Sequence, residues 1–152
     1  MNIRRFCLPA FLSLAFLAGV RAFASDSMTV NINCYDTMKY SVAEIDAHPG
    51  EKVTVNLKNV GSLPKAAMAH NFVLLNAGTD PMAYSRLAVN AKDTNYQPPS
   101  LAGRVIASTP LLGPQETASV TFTAPSAPGT YPYLCSFPAH CGAGMHGVLI
   151  VK

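Results

Sequence analysis

The residues best suited to chemistry lie near the end of the chain. One short stretch contains a thiol, an imidazole and a thioether, contributed by Cys135, His140 and Met145. Soft sulfur and borderline nitrogen donors favour copper over magnesium or calcium, and a blue-copper centre uses one Cys, two His and a weak axial Met. The stretch therefore offers three of four such ligands. The second histidine must come from elsewhere, and His70 is a candidate, although a lone strand-end histidine more often bonds a backbone carbonyl.

Other metal and catalytic sites fit the spacing less well. The paired C-x2-C and H-x3-H spacings of structural zinc modules are missing. The chain has four histidines, too few to supply a catalytic copper as well as a blue one. A cysteine hydrolase needs an orienting group and an oxyanion hole beside its Cys and His, and no motif marks them. We therefore expect one bound copper ion and no enzymatic activity.

The first residues have the pattern of a secretory signal peptide. Two arginines precede an apolar run from Phe6 to Val20, and Ala22-Phe23-Ala24 has the small-x-small pattern of a cleavage site. The run is shorter than the roughly 20 residues that span a bilayer. We expect residues 1–24 to be the signal peptide, residues 25–152 to form a single domain, and the mature protein to be periplasmic.

Net charge excludes several classes of partner. Of the 11 Lys and Arg residues, Arg4, Arg5 and Arg21 lie in the predicted signal, which leaves eight to balance the eight Asp and Glu residues. A formally neutral domain has no electrostatic attraction for nucleic acid or an anionic membrane. We expect a monomer that binds neither nucleic acid nor, once the signal is removed, a membrane.

Alternating apolar and polar residues predict about eight short strands. In Lys52 to Lys58, for example, Val53, Val55 and Leu57 alternate with polar residues. Strands separated by Gly/Pro turns are typical of an all-β sandwich or barrel. Thr79-Asp80-Pro81 predicts the start of one short helix, and Pro132 predicts an edge position or bulge for its strand. The predicted strands cover residues 28–33, 38–45, 52–58, 70–75, 104–107, 117–123, 131–135 and 147–151, and residues 95–103 are predicted to be a loop.

Two blocks of the sequence resemble the azurins, small blue-copper proteins of the cupredoxin family. Gly61-Ser62-Leu63-Pro64-Lys65-x-x-Met68-x-His70-Asn71-Phe72-Val73-Leu74 is similar to their segment with the first histidine, and Cys135-Ser136-Phe137-Pro138-Ala139-His140 to their ligand loop. Four residues separate His140 from Met145, as in the related auracyanins, whereas azurins have three. The resemblance implies a Greek-key β-sandwich that binds one copper ion.

By this resemblance, His70, Cys135 and His140 form the trigonal ligand set. Met145 is then a long axial contact, and the carbonyl of Ala69 is a second weak axial neighbour. The extra residue before Met145 makes the axial arrangement the part that departs most from azurin.

The resemblance also assigns residues around the ligands. Asn71 and Ser136 match positions that tie the two ligand segments together and hydrogen-bond the cysteine sulfur, which tunes the metal. An apolar surface around the second histidine is where the family's electron partners dock. Its counterparts here are Leu63, Met68, Phe137 and Ala139.

The expected function is to shuttle single electrons between redox proteins, such as c-type cytochromes or copper or haem reductases. One alternative is a periplasmic copper chaperone or storage protein, and another is a thiol redox module that uses Cys34 and Cys141. These two cysteines are also a candidate disulfide. The remaining options are two free thiols, or Cys141 as an extra ligand.

Overall fold

The computed structural model describes residues 27–152, so the predicted signal peptide lies outside the described residues. The described chain is a sandwich of a four-stranded and a five-stranded β-sheet with two short α-helices. The predicted all-β sandwich is therefore confirmed. The strands are β1 (Ser27–Tyr35), β2 (Lys39–Tyr40), β3 (Glu44–Ala47), β4 (Lys52–Asn59), β5 (Val73–Leu75), β6 (Val105–Ser108), β7 (Thr117–Thr123), β8 (Gly129–Leu134) and β9 (His146–Val151).

The first sheet has the strand order β2-β1-β4-β7, and β1 and β4 are parallel neighbours. Its inner face follows the predicted alternation, since Val53, Val55 and Leu57 of β4 are at most 1% exposed. Parallel neighbours require a crossover, and here the chain makes it by way of β3 in the other sheet.

The predicted strand over residues 38–45 is wrong, because the chain changes sheets within it. Ser41 still donates its N–H to the carbonyl of Asn33 on β1, whereas the carbonyl of Ala43 accepts from Val148 on β9. Residues 41–43 therefore connect two separate strands, β2 and β3, and the strand count becomes nine.

The second sheet has the order β3-β9-β8-β5-β6, which places β8 in its interior. The prediction that Pro132 marks an edge or bulge is wrong. Pro132 pairs with Val148 on β9, but on the other side β5 reaches only Tyr133 and Leu134. Because β5 is short, the missing N–H of Pro132 interrupts no pairing on that side.

The predicted helix is present as α2 (Pro81–Ala88). The side chain of Asp80 caps it by accepting from the N–H of Met82 at 2.8 Å, and Pro81 fills the first turn. A one-turn helix, α1 (Lys65–Met68), was not predicted because four residues show no helical period. A 3-10 helix, Pro99–Arg104, occupies the end of the predicted loop and the first residue of the strand predicted from residue 104. Within residues 27–152, no helix is long and apolar enough to cross a membrane.

Candidate metal centre

Three side chains from distant parts of the sequence meet at one end of the sandwich. The Nδ1 atoms of His70 and His140 lie 3.2 Å apart, and the Sγ atom of Cys135 lies 3.4 Å from Nδ1 of His140. One donor atom from each residue falls within 4.8 Å of the other two. All three residues are at most 2% exposed, so the donors converge in a place from which water is largely excluded.

The backbone of His70 is held by a residue that is distant in the sequence. It lies between α1 and β5 and forms an isolated antiparallel bridge with Leu112. Its N–H donates to the carbonyl of Leu112 at 3.0 Å, and its carbonyl accepts from the N–H of Leu112 at 2.7 Å. The predicted strand from residue 70 therefore begins only at Val73. The bridge fixes the backbone of His70 without extending the sheet.

Cys135 and His140 are positioned by a loop that closes on itself. Cys135 follows the last residue of β8, and its N–H donates to the carbonyl of Met145, while the N–H of Met145 donates to the carbonyl of His140. Between them, the N–H of His140 donates to the carbonyl of Phe137 and closes a tight turn. Ala139 has a φ of +70°, as the second central residue of a type II turn requires.

A hydrogen-bonded pair joins the two ligand segments. The amide of Asn71 donates to Oγ of Ser136 at 2.8 Å, and the backbone N–H of Ser136 donates to Oδ1 of Asn71 at 2.9 Å. Hydrogen bonding from the backbones of Asn71 and Phe137 acts to lower the pKa of the Cys135 thiol. Asn71 and Ser136 thus join the two ligand segments in the structure.

The two axial candidates also border the site. The carbonyl oxygen of Ala69 lies 4.0 Å from Sγ of Cys135. Met145 is fully buried and belongs to the same core cluster as Cys135. Its backbone is held between those of Cys135 and His140, so the four-residue spacing still returns Met145 to the start of the ligand loop.

Burial sets the protonation of the donors. Desolvation lowers the pKa of His70 to about 4, an effect that the carboxylate of Asp36 partly opposes. Desolvation, followed by the neighbouring His70, lowers the pKa of His140 to about 4. Both imidazoles are therefore neutral at pH 7 and keep a lone pair for a metal. Burial raises the pKa of Cys135 to about 12, despite hydrogen bonds from Asn71 and Phe137, so metal binding must release the thiol proton.

This donor set fits copper. One sulfur and two neutral imidazole nitrogens, with a thioether nearby, combine the soft and borderline ligands that a blue-copper site uses. Hard cations prefer carboxylate and other oxygen ligands. The cluster of metal-binding groups found in residues 27–152 contains no carboxylate.

The predicted docking residues differ in exposure, and two of them, Phe137 and Ala139, belong to the ligand loop. Leu63 is 43% exposed, Ala139 is exposed, and Met68 and Phe137 are half-buried. The ring of Phe137 packs 4.8 Å from that of His140, centroid to centroid. Tyr96, which the sequence did not point to, packs edge-on against Phe137 at 5.2 Å.

The candidate disulfide is not formed, because Cys34 and Cys141 are both free thiols. Cys34 belongs to the main core cluster, whereas Cys141 belongs to a smaller cluster with residues of α2. The sulfur of Cys141 lies 3.7 Å from the carbonyl oxygen of Pro81 and 3.5 Å from Sδ of Met82. Cys141 is also outside the donor cluster, so the structure adopts the option of two free thiols.

Two residues next to the site were missed. The hydroxyl of Tyr40 donates to the carbonyl of Asn71, and Oγ1 of Thr109 accepts from the N–H of Phe72 at 3.0 Å. Neither belongs to a ligand block, and no spacing in the sequence connects them to one. Only the packing of the two sheets brings them there.

A β-sandwich that buries a Cys-His-His set beside a methionine defines the class of blue-copper proteins. Residues 26–152 match the family model for copper binding proteins of the plastocyanin/azurin family. The chain belongs to this family, and copper is its cofactor.

Individual relatives agree with this assignment. The chain is 43% identical to Auracyanin-B of Chloroflexus aurantiacus over 98 residues, 64% of this chain but 39% of that protein. It is 38% identical to the azurin of Pseudomonas fluorescens biotype C over 127 residues, 81% of this chain and 97% of the azurin. The crystal structure of dithionite-reduced auracyanin from Roseiflexus castenholzii superposes with a TM-score of 0.73 and 36% identity, covering 84% of this chain and 98% of the auracyanin.

Proposed function

We propose that this protein is a periplasmic electron carrier that binds one copper ion through His70, Cys135 and His140. Met145, and more weakly the carbonyl of Ala69, would supply the remaining contacts to the metal. Bound copper would supply a one-electron couple between its +1 and +2 states. The observation that carries the proposal is the convergence of three buried donors whose backbones are already fixed by hydrogen bonds.

Hydrogen bonds within the protein keep the positions of the donors constant. The His70–Leu112 bridge, the Asn71–Ser136 pair and the turn before His140 hold the donors in place. The hydrogen bonds to the sulfur of Cys135 stabilise its thiolate. A site that is held rigid and dry changes little when its charge changes, which suits electron transfer. A chaperone needs ligands that open to release the metal.

The test of copper chemistry is to add Cu(II) to the copper-free protein. We expect stoichiometric binding with intense blue absorption that ascorbate removes and ferricyanide restores. Cys135→Ser should abolish the colour. Cys34→Ala, which removes a buried thiol outside the donor cluster, should retain it. Colourless Cu(I) binding that is lost quickly to a chelator would instead support the chaperone or storage function.

We further propose that partners dock on the surface formed by Leu63, Met68, Phe137 and Ala139, and that electrons pass through the edge of His140. The partners are other redox proteins, such as c-type cytochromes or copper or haem reductases, and this protein transforms no substrate. An exposed leucine on this surface would contribute apolar contact to the complex.

The docking test compares two exposed leucines. Leu63 is 43% exposed on the proposed surface, and Leu87 is 54% exposed on α2. Leu63→Ser should slow electron exchange with a c-type cytochrome, measured by stopped flow, and Leu87→Ser should not. Equal rates in both variants would rule out this surface for that partner.

Export is proposed from the sequence of residues 1–24. Amino-terminal sequencing of the protein from a periplasmic extract should begin at Ser25, and size-exclusion chromatography should give a monomer. Recovery of the full-length chain in the cytoplasm would contradict the proposed location.

A further inference from the structure

The peptide unit between Asn71 and Phe72 lies in a gap of the sheet. His70 belongs to an isolated bridge, and β5 begins only at Val73. Asn71 and Phe72 are both fully buried. Buried backbone groups outside a ladder must find other partners, so the sheet alone does not determine how this peptide is held.

Two side chains hold this peptide from its two ends. The carbonyl of Asn71 accepts from the hydroxyl of Tyr40, on β2 of the first sheet. The N–H of Phe72 donates to Oγ1 of Thr109, which follows β6 of the second sheet, and the carbonyl of Phe72 accepts from the N–H of Thr109 at 2.9 Å. The peptide is thus fixed between the two layers of the sandwich.

A displacement of this peptide would affect the donors through Asn71. Its side chain exchanges two hydrogen bonds with Ser136, the residue after Cys135, and hydrogen bonding from its backbone acts to lower the pKa of the Cys135 thiol. It also directly follows His70 in the chain. A change in the position of Asn71 therefore alters the hydrogen bonding of the sulfur and the link between the two ligand segments.

We propose that Tyr40 is a positioning residue for the copper site, acting through its hydroxyl on the backbone of Asn71. The inference rests on the proposed ligation by Cys135. Without this hydroxyl, the carbonyl of Asn71 loses its partner and the hydrogen bonding from the backbone of Asn71 to the sulfur weakens. A thiolate with a weaker hydrogen bond is the better donor to Cu(II), so the reduction potential falls.

The chain offers a matched control in Tyr133. Its ring lies 5.7 Å from that of Tyr40, centroid to centroid, and it packs 4.9 Å from Phe72. Its hydroxyl, however, donates to the carbonyl of Val42 at 2.7 Å, in the connection between β2 and β3. Tyr40→Phe and Tyr133→Phe each remove one hydroxyl from the same aromatic pair, and only the first removes a contact to Asn71.

The experiment measures three quantities in both variants. The first is the reduction potential of the copper-loaded protein. The second and third are the amide 1H–15N resonance and the hydrogen-exchange protection of Asn71 in the copper-free protein. We expect Tyr40→Phe to lower the potential, shift the Asn71 resonance and reduce its protection. Tyr133→Phe should leave all three close to their wild-type values.

A second variant tests the other end of the peptide. Thr109→Val removes the acceptor for the N–H of Phe72 and should change the same three quantities, whereas Thr109→Ser keeps a hydroxyl and should not. If Tyr40→Phe fails to fold, unchanged values in Thr109→Val would overturn the premise that the anchoring of this peptide affects the copper site.

The failure of the inference is distinguishable from that of the proposed function. A blue wild-type protein whose Tyr40→Phe variant behaves like Tyr133→Phe in all three quantities overturns the role of Tyr40 alone. Blue colour that survives in Cys135→Ser overturns the proposed ligation, and the copper-free amide measurements still report whether Tyr40 holds Asn71.

Discussion

The two segments that supply the donors are held in opposite ways. The loop from Cys135 to Met145 is closed by its own backbone, with hydrogen bonds that join Cys135 to Met145, Phe137 to His140 and His140 to Met145. Long-range contacts are added to this closed loop, including those from Lys39 to the carbonyl of Ala143 and between Ser136 and Asn71. The segment around His70 instead depends on residues far away in sequence, including Tyr40, Thr109, Leu112 and Ser136.

The conformation of the ligand loop is therefore determined largely by local interactions, and that of the segment around His70 by the packing of the whole sandwich. A loop that satisfies its own backbone can form its turn wherever its ends are fixed. A segment held by distant side chains has a defined shape only after the sheets have packed. Changes within the loop should therefore act mainly through its own conformation and burial, and changes around His70 should act through the packing of the whole sandwich.

The largest expected effect tests whether the loop depends on the core in addition to its own hydrogen bonds. Met145 is fully buried in the main core cluster, so Met145→Ala should leave a cavity and lower the free energy of unfolding of the copper-free protein by about 2–5 kcal/mol. Met145→Leu keeps the volume and should cost less than about 1.5 kcal/mol. Chemical denaturation measures both, and equal losses would show that the thioether itself, not its volume, stabilises the loop.

A somewhat smaller effect should follow from cutting the link between the segments. Asn71→Ala leaves the N–H and hydroxyl of buried Ser136 without their partner. Each lost buried partner costs about 1–3 kcal/mol, and because both bonds share one side chain their costs are not fully additive, so we expect a loss of about 2–4 kcal/mol. Asn56 also makes two side-chain hydrogen bonds, but at the surface. Asn56→Ala should change the free energy of unfolding by about 0.5 kcal/mol or less. A loss in Asn71→Ala no greater than this control would mean that the segments are not coupled through Asn71.

In the turn before His140, we expect a substitution that raises the free energy of unfolding. Ala139 has positive φ, which costs an L-residue roughly 1–2 kcal/mol. Replacing it with glycine should relieve this strain, and after a loss of about 0.4–1 kcal/mol from the more flexible unfolded chain, Ala139→Gly should stabilise the protein by about 0.5–1 kcal/mol.

Ala143 provides the control for this change. It is exposed on the same loop and is not among the positive-φ residues, so Ala143→Gly should destabilise slightly. Thermal unfolding of the copper-free variants measures both effects. Destabilisation by Ala139→Gly would show that the turn is not strained.

The smallest expected effect concerns an exposed contact of the helix that precedes His70. Glu116 accepts from Lys65, in α1, and from the N–H of Gly113, each at 2.8 Å. These hydrogen bonds, that from Lys65 first, lower the pKa of Glu116 below its ordinary range. The contact therefore stabilises the protein above the ordinary carboxylate pKa and is lost as the pH falls through the lowered value.

Glu116→Gln should remove this pH dependence. The difference in free energy of unfolding between wild type and variant should be present at pH 7, shrink with added salt, and disappear at low pH. A difference that stays constant from pH 7 to pH 3 would contradict the role of the charge.

Much of the sandwich was predictable because β-strands with one buried face carry a period of two, as in β4. The predictions that were wrong share a cause, which is that pairing decides where a strand ends. Residues 38–45 are uniformly strand-like, yet the chain leaves one sheet and enters the other within them. Pro132 is tolerated in an interior strand only because its neighbour β5 is short. Period and propensity carry no information about the length of a neighbouring strand.

The sequence by itself determined the chemistry of the site. Three of the donor types, their order and the Phe137–His140 turn reside in one short stretch whose interactions are largely local, and the block around His70 supplies the fourth donor. Only the tertiary structure decided how His70 is held, that Tyr40 and Thr109 contact its segment, and that Cys34 and Cys141 remain apart as free thiols. Those outcomes depend on contacts between residues that are far apart in the chain, and such contacts exist only once the two sheets have packed together.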